Sequence, residues 1–396
     1  MNYEDKLSTK VKSIGFSGIR KFFDLANGMK DIISLGVGEP DFKTPWDIRN
    51  CAINAIKKGN TQYTSNAGDM TLRKNIVRYL RERFDLDYTV DETLVTIGAS
   101  EPIDLACRVI VNDGDEVLVP APAYVSYQPC VTLSGGRAVE VPCSMDDDFK
   151  LTRANIEKVL TDRTKAIIFP YPNNPTGAIM TREDIEPIVE LILERDLIVI
   201  TDEIYAELTY GARHVSIASF EGMRERTIYI NGFSKSFAMT GWRIGYVCAP
   251  HELLQEMLKI HQYTTICAPT TSQIAGAYAL EQGFIDDFNF VEEMRDEYDM
   301  RRRYLIKRFN DLGLTCFNAK GAFYVFPNVS SLEMTGEEFA ERLLREARVA
   351  VVPGSAFSTG CTDFVRVSYA YSMKLLRSAL DKIEVFVKRR REELAK

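Results

Sequence analysis

The sequence predicts an α/β protein with a large domain, built on a mostly parallel sheet flanked by helices, and a smaller α/β domain. Between residues 46 and 280, short apolar segments alternate with helical segments, which is the pattern of β-α-β units. A charge-rich helical stretch then runs over residues 281–312 and separates this pattern from the last third. The chain has 396 residues, of which 45% are hydrophobic, enough for more than one domain.

The elements of the large domain follow in order. The predicted strands are Thr93–Ile97, Glu116–Val119, Lys165–Phe169, Leu197–Ile200, Thr227–Ile230 and Gly245–Ala249. The predicted helices run from Trp46 to about Lys58, from Ser100 to Val111, and to about Arg195. Ser100 is a predicted N-cap with Pro102 in the first turn. The segment Thr181–Asp184 resembles a capping box, which places the start of the third helix there.

The two ends of the chain differ from this pattern. Ser13–Asn27 is amphipathic, and Ile32–Leu35 leads into the Gly/Pro-rich turn Gly36–Asp41. We predict that residues 281–312 form a solvated helix between two domains. Beyond it we predict strands Ala322–Phe326 and Phe364–Tyr369, a helix Thr335–Glu346 and a terminal amphipathic helix. The predicted domains are an arm with part of the small domain (1–45), the large domain (46–280), and the interdomain helix with the small domain (281–396).

The composition argues against several classes of function and partner. The net charge of −7 argues against a nucleic-acid partner, which would select a basic face. Eight cysteines include no C-x-x-C pair, and three histidines form no metal-ligand cluster, so we expect reduced thiols and no metal. No apolar run reaches membrane-spanning length, and the N-terminus lacks a signal-peptide pattern. We therefore expect a cytoplasmic protein with no membrane partner.

Polar residues follow four of the predicted strands, where ligands bind in open parallel sheets. The segments are Gly98–Ser100, Pro170–Gly177, Thr201–Tyr205 and Asn231–Ser236. They supply a helix N-terminus, an amide (Asn174), a carboxylate with a phenol three residues on (Asp202, Tyr205), and a lysine between serines (Lys235). Each has an ordinary alternative: a turn asparagine, a helix-capping aspartate or a solvated lysine. Aromatic neighbours favour a desolvated, nucleophilic Lys235.

Four motifs in this order resemble one known family. They are Asn173–Gly177 (NNPTG), Thr201–Tyr205 (TDEIY), Ser234–Tyr246 (SKSFAMTGWRIGY) and Gly321–Pro327 (GAFYVFP). Together they resemble the class I/II pyridoxal-phosphate (PLP) aminotransferases, in the branch of bacterial and archaeal aspartate and aromatic aminotransferases. The resemblance extends from Gly36 to Tyr369 and implies fold type I of the PLP-dependent transferases.

The resemblance implies roles around the cofactor ring. Lys235 would hold PLP as a Schiff base and carry the proton between Cα and C4′. Asp202 would pair with the pyridinium nitrogen, so that the ring accepts electrons released at Cα. Asn174 and Tyr205 would hydrogen-bond O3′, and Tyr124 would stack on the ring.

The resemblance also implies how the phosphate is held. The backbone amides of Ala99, Ser100 and Glu101 lie at a predicted helix N-terminus, which suits an anion. We expect the Glu101 side chain to point away from that anion. Ser234 and Arg243 match the family's phosphate-contacting hydroxyl and cation.

Two further implications concern the substrate and the assembly. Arg366 matches the arginine that binds the substrate α-carboxylate, with Gly38 and Asn174 completing that pocket. An arginine in the alternating strand around Arg366 has a simpler explanation, a solvent-facing side chain. Tyr63 matches a tyrosine that reaches the phosphate from the neighbouring subunit, which implies a homodimer with shared active sites.

The expected activity is transamination from an L-amino acid to a 2-oxo acid such as 2-oxoglutarate, by a ping-pong cycle. Aspartate, aromatic amino acids and alanine all remain open as donors, and residues 17–20 are the expected source of side-chain selectivity. Two alternatives stay open. A PLP-dependent C–S β-lyase would share Asp202, Lys235 and Arg366. A non-catalytic ligand sensor is disfavoured because the 45 residues before the core carry no helix-turn-helix pattern.

Overall fold

The computed structural model describes residues 1–16, 18–19, 29 and 31–396. The strands are β1 Ile33–Ser34, β2 Thr93–Thr96, β3 Glu116–Ala121, β4 Arg137–Pro142, β5 Thr164–Phe169, β6 Ile198–Asp202, β7 Thr227–Gly232, β8 Gly245–Cys248, β9 Tyr324–Val325, β10 Val349–Ala350, β11 Val352–Pro353 and β12 Val365–Ser368. The helices are α1 Thr9–Lys12, α2 Trp46–Lys57, α3 Met70–Phe84, α4 Ser100–Ile110, α5 Tyr127–Leu133, α6 Arg153–Glu157, α7 Arg182–Glu194, α8 Phe233–Ser236, α9 His251–Thr264, α10 Thr270–Asp286, α11 Asn289–Asp311, α12 Gly336–Ala347 and α13 Met373–Leu394.

A seven-stranded sheet in the order β2-β8-β7-β6-β5-β3-β4 forms the centre of the large part. Only β8 runs against its neighbours, so the predicted mostly parallel sheet is confirmed. Alternate residues of each strand enter separate apolar clusters: Ile167 and Val199 lie in one, Ile168 and Ile200 in another. Because helices bury both faces, the central strands are apolar throughout, as parallel strands usually are.

The segment before the large sheet joins the end of the chain. β1 pairs in parallel with β10, and Leu35 lies in the same apolar cluster as α12 and α13 residues. Beside them β11, β12 and β9 form an antiparallel sheet in that order. The turn Gly36–Asp41 therefore leads from the β1–β10 pair to the seven-stranded sheet, beside the ends of β6 and β7.

Three details differ from the sequence prediction. Ser100 is not the N-cap of α4 but its first residue, and Ala99 takes the cap position. The stretch 281–312 is two helices, because Asp287 and Phe288 adopt left-handed backbone conformations, with φ of 55° and 57°, and end the first helix. Its second helix, α11, is not simply solvated, since one face is buried and includes Arg301. The amphipathic segment 13–27 falls mostly outside the described residues.

Other predicted elements agree to within a few residues. The capping box at Thr181 is present, with the Thr181 side chain accepting from the backbone of Asp184 and the reverse bond also made. Strand β6 extends to Asp202 and β7 to Gly232, so each reaches further toward the site than predicted. The pairing of Asp202 with Ile230 aligns these two strand ends.

A close backbone approach joins β8 to the turn before α4. A Cβ built on Gly245 would lie 2.5 Å from the carbonyl carbon of Gly98, where only backbone is available to move. We expect Gly245→Ala to lower the free energy of unfolding by about 1–3 kcal/mol, since overpacking forces a backbone shift. Urea denaturation measures it. Gly241→Ala is the matched control, because its added methyl meets open space; equal effects of the two substitutions would contradict the prediction.

Candidate active site

One cavity of about 470 Å³ opens at the carboxyl ends of β5, β6 and β7, against the N-terminus of α4. Most of the predicted site residues line it: Gly38, Ala99, Ser100, Tyr124, Asn174, Asp202, Tyr205, Ser234, Lys235, Arg243 and Arg366. Two are not among its lining residues, Glu101 and Tyr63. The Tyr63 ring is 78% exposed in the single chain.

Lys235 projects into this cavity from the single turn α8, which follows β7 directly. Its Nζ donates a hydrogen bond to the carbonyl oxygen of Gly38 at 2.7 Å. The rings of Tyr205 and Phe323 lie 5.8 and 5.7 Å from Nζ, measured to their centroids. The half-buried amine thus has a backbone carbonyl as hydrogen-bond partner and two aromatic rings close by.

The surroundings make Lys235 a better nucleophile than a surface lysine. Burial lowers its pKa to about 8, because desolvation disfavours the charged ammonium. Glu39 opposes this shift, while the positive charges of Arg366 and Arg243 reinforce it. A larger fraction of this amine is therefore neutral near pH 7.

Asp202 is the last residue of β6 and is buried. The Tyr127 hydroxyl donates to its Oδ2 at 2.8 Å, and the backbone N–H of Ile204 donates to Oδ1 at 3.3 Å. Burial raises the pKa of Asp202 to about 6, although both hydrogen bonds favour the charged form. A cation placed against this carboxylate would relieve that desolvation.

The part of the cavity at the N-terminus of α4 suits an anion. α4 begins there with Ala99 at the cap position, and alanine carries no acceptor for the first-turn N–H groups. Gly98 has a φ of +66°, and a Cβ on it would lie 2.5 Å from Nη2 of Arg243, so the guanidinium packs directly on this turn. The buried Ser234 lines the same cavity. A helix N-terminus, a cation and a hydroxyl together are suited to a phosphate group.

Arg366 is 3% exposed, so the alternative of a solvent-facing side chain is wrong. Its strand, β12, lies between β9 and β11 rather than at an edge. Nη1 donates to Oδ1 of Asn174 at 2.8 Å, and Nη2 donates to the carbonyl oxygen of Gly36 at 2.6 Å. Within the described part of the chain, Nε is buried without a hydrogen-bond partner. The guanidinium therefore has donor capacity left for a carboxylate.

Sequence reasoning missed two tyrosines of this site. Tyr127 bonds Asp202 and packs edge-on against Tyr124, with ring centroids 5.7 Å apart. Tyr324 shares a 2.9 Å hydroxyl contact with Tyr205, and the Arg366 guanidinium lies 4.4 Å from its ring centroid. Tyr324 lies within the Gly321–Pro327 motif, which was the available signal for it. No pattern around Tyr127 distinguished it from its neighbours.

Comparison with known proteins identifies the family of the chain. The family model described as aminotransferase class I and II matches residues 30–383. The aspartate aminotransferase of Pyrococcus abyssi is 44% identical, over 96% of this chain and 97% of the relative. Aromatic-amino-acid aminotransferase 2 of Thermococcus litoralis is 42% identical, over 97% and 99%. The structure of Thermus thermophilus aspartate aminotransferase with maleate superposes with a TM-score of 0.91 at 36% identity, covering 96% of this chain and 98% of that one.

A mostly parallel sheet whose carboxyl ends open into a cavity lined by a lysine, a buried aspartate and a buried arginine is typical of an α/β enzyme. More particularly, the chain belongs to the class I and II aminotransferases and is a transaminase. The family resemblance found in the sequence is thereby confirmed. No helix among residues 1–16, 18–19, 29 and 31–396 is long and apolar enough to cross a membrane.

The charges around Lys235 give a test of the cavity's electrostatics. Glu39→Gln removes a negative charge, so the pKa of Lys235 should fall below about 8. Arg243→Gln removes a positive charge, so the same pKa should rise. The pH dependence of acetylation of Lys235 in the cofactor-free protein, followed by mass spectrometry, measures both, with the exposed Lys259 as internal control. Shifts of the same sign in the two variants would contradict the arrangement.

Proposed function

We propose that this aminotransferase binds pyridoxal 5′-phosphate in the described cavity and transfers the amino group of an L-amino acid to a 2-oxo acid such as 2-oxoglutarate. One observation carries the proposal: Lys235, Asp202 and Arg366 line the same cavity, although they come from three different elements, α8, β6 and β12. When bound, the cofactor supplies an aldehyde and an electron-accepting ring.

Three side chains would handle the protons and the charge. Lys235 provides the neutral amine that holds the aldehyde and then moves the proton at the substrate Cα. Asp202 would keep the nitrogen of the cofactor ring protonated. The positive charge of that nitrogen would offset the desolvation of the Asp202 carboxylate. Tyr127 fixes the orientation of Asp202 through the hydrogen bond to Oδ2.

The remaining residues would hold and orient the ligands. The first-turn amides of α4 (Ala99, Ser100 and Glu101), with Ser234 and Arg243, bind the phosphate. Asn174 and Tyr205 bond the ring oxygen, and Tyr124 stacks on the ring. Arg366 binds the substrate α-carboxylate through its free donors, with Asn174 and Gly38 beside it. This fixes the orientation of the Cα–H bond toward Lys235, which is a large part of the catalytic advantage.

The cavity wall favours a donor with an apolar or aromatic side chain. Its described lining includes Ile19, Val37 and Val125, and the described cations there are Lys235, Arg243 and Arg366, each with a task proposed above. The named relatives include aspartate and aromatic aminotransferases, so both donor classes belong in the test.

We also propose a cytoplasmic homodimer. The eight cysteines are all unpaired, which suits a reducing compartment. The exposed Tyr63 would reach the phosphate of the neighbouring subunit, and an aromatic ring of this size is commonly covered in an assembly.

Replacement of the lysine tests the activity. We expect Lys235→Ala to reduce amino transfer by about 10²–10⁴-fold or more, because the acid–base group is lost. Lys259→Ala, on an exposed face of α9, is the matched control and should retain full activity. Steady-state assays with 2-oxoglutarate and a panel of aromatic, aspartate and alanine donors measure both variants and rank the donors.

The same assays separate transamination from elimination. The wild type should form glutamate and a 2-oxo acid in equal amounts. Release of pyruvate and ammonia from a cysteine conjugate, without glutamate, would overturn the proposal in favour of a β-lyase.

A hybrid dimer tests the shared site. Lys235→Ala and Tyr63→Ala protomers are each expected to be impaired as homodimers. Co-expressed with separate affinity tags, the hybrid should regain a fraction of activity. One of its sites then combines an intact Lys235 with an intact Tyr63 from the partner. Absence of recovery in the purified hybrid would show that Tyr63 serves its own subunit.

A further inference from the structure

An acidic side chain stands in the first turn of the helix proposed to bind the cofactor phosphate. Glu101 is the second residue of α4, where an acidic side chain would repel a bound phosphate if it faced the cavity. The way its charge is held therefore bears on cofactor binding.

The Glu101 carboxylate is held on the side away from the cavity. Oε2 accepts a hydrogen bond from the backbone N–H of Ile97 at 2.5 Å, and Oε1 lies 2.7 Å from Nδ1 of His261. Thr265 also donates to Oε1, at 3.3 Å. Neither Glu101 nor His261 is among the described residues that line the cavity. The Ile97 bond spans the left-handed Gly98, so it links the end of β2 to the start of α4.

His261 is a costly residue for its position. It is fully buried near the end of α9, and its Nε2 has no hydrogen-bond partner within the described part of the chain. An ionised carboxylate only accepts hydrogen bonds, so Nδ1 carries a hydrogen toward Glu101. A leucine would fill such a place without burying an unpaired polar atom. The useful property of the imidazole is therefore its bond to Glu101.

We propose that His261 and Glu101 are positioning residues for the cofactor phosphate. The imidazole holds the carboxylate out of the cavity, and the carboxylate fixes the turn 97–100 so that the N–H groups of Ala99–Glu101 face the phosphate. This inference rests on the proposed function. It concerns only the phosphate end of the cofactor, and Lys235 and Asp202 act independently of it.

Binding of two related aldehydes isolates the effect. Cofactor-free wild type and variants are titrated by absorbance with pyridoxal 5′-phosphate and with pyridoxal, which lacks the phosphate. We expect His261→Leu and His261→Met to weaken binding of the phosphorylated compound about ten- to hundredfold, the range for a lost hydrogen bond to a charged group. Their affinity for pyridoxal should stay unchanged. His261→Asn should restore most of the loss, because its amide can donate from nearly the same place as Nδ1.

Glu256→Gln, an exposed change on the same helix, is the control and should leave both affinities unchanged. Equal weakening toward both aldehydes would show a merely structural role and overturn the inference. So would unchanged binding, or failure of the asparagine variant to rescue. If the wild type binds neither aldehyde, the proposed function is overturned instead. If the wild type binds both, a negative result with the variants concerns only the proposed role of His261. Because pyridoxal binding requires the folded cavity, it also reports whether each variant is intact.

Discussion

The central constraint on the structure is a buried carboxylate, Asp202, that forms no ion pair within the described residues. Asp202 ends a buried strand, and in the part of the chain that the structure describes its carboxylate accepts hydrogen bonds from one phenol and one backbone N–H. Burial of an unpaired carboxylate is energetically unfavourable. The pKa of Asp202, about 6, reflects this, because the carboxyl group keeps its proton to a higher pH than an exposed one does. The parallel sheet fixes the position of Asp202, because β5 and β7 hold β6 on both sides. A bound cationic ring would convert this cost into binding free energy, which makes cofactor binding and stability linked properties.

The same sheet explains why Lys235 and Asp202 line one cavity. The register aligns Asp202 with Ile230, and β7 continues two residues before the chain turns into α8. Gly232 lets this turn form against β8, since a Cβ there would lie 2.9 Å from the Cα of Gly245. Position 245 must also stay small because it packs on Gly98. Two glycines in neighbouring strands thus connect the lysine-bearing turn with the helix N-terminus that suits an anion.

The sequence was sufficient for the elements whose signals are local. Apolar strands of the right length, the capping box at Thr181 and the polar residues after each strand predicted the sheet and the edge at which the cavity opens. It was insufficient where tertiary packing decides. The helix ends before Phe288 although no glycine or proline at that point predicts it. The break arises because the Phe288 ring packs against Gly283 in the core. The alternating pattern around Arg366 indicated a solvent-facing side chain, whereas its burial follows from the pairing of β12 with two other strands. Tyr127 joins the site through a contact with a residue 75 positions away.

The turn Gly36–Asp41 holds Arg366 and Lys235 at a fixed separation. The carbonyl of Gly36 accepts from Arg366, and the carbonyl of Gly38 accepts from Lys235. The separation between the Arg366 guanidinium and the Lys235 amine is therefore set by two residues of backbone. Position 38 admits no side chain, because a Cβ would lie 2.5 Å from the Tyr324 hydroxyl.

The far end of this turn is anchored by an ion pair. Nη1 of the buried Arg301 contacts both carboxylate oxygens of Asp41, at 2.8 and 3.0 Å. A buried pair of this kind adds little net stability, but removing one partner leaves an uncompensated charge. The ion pair instead fixes the position of the turn, since a shift of the turn would move the carbonyls of Gly36 and Gly38 together. The charge-rich sequence of α11, which suggested a solvated linker, thus partly serves to hold the distance between Arg366 and Lys235.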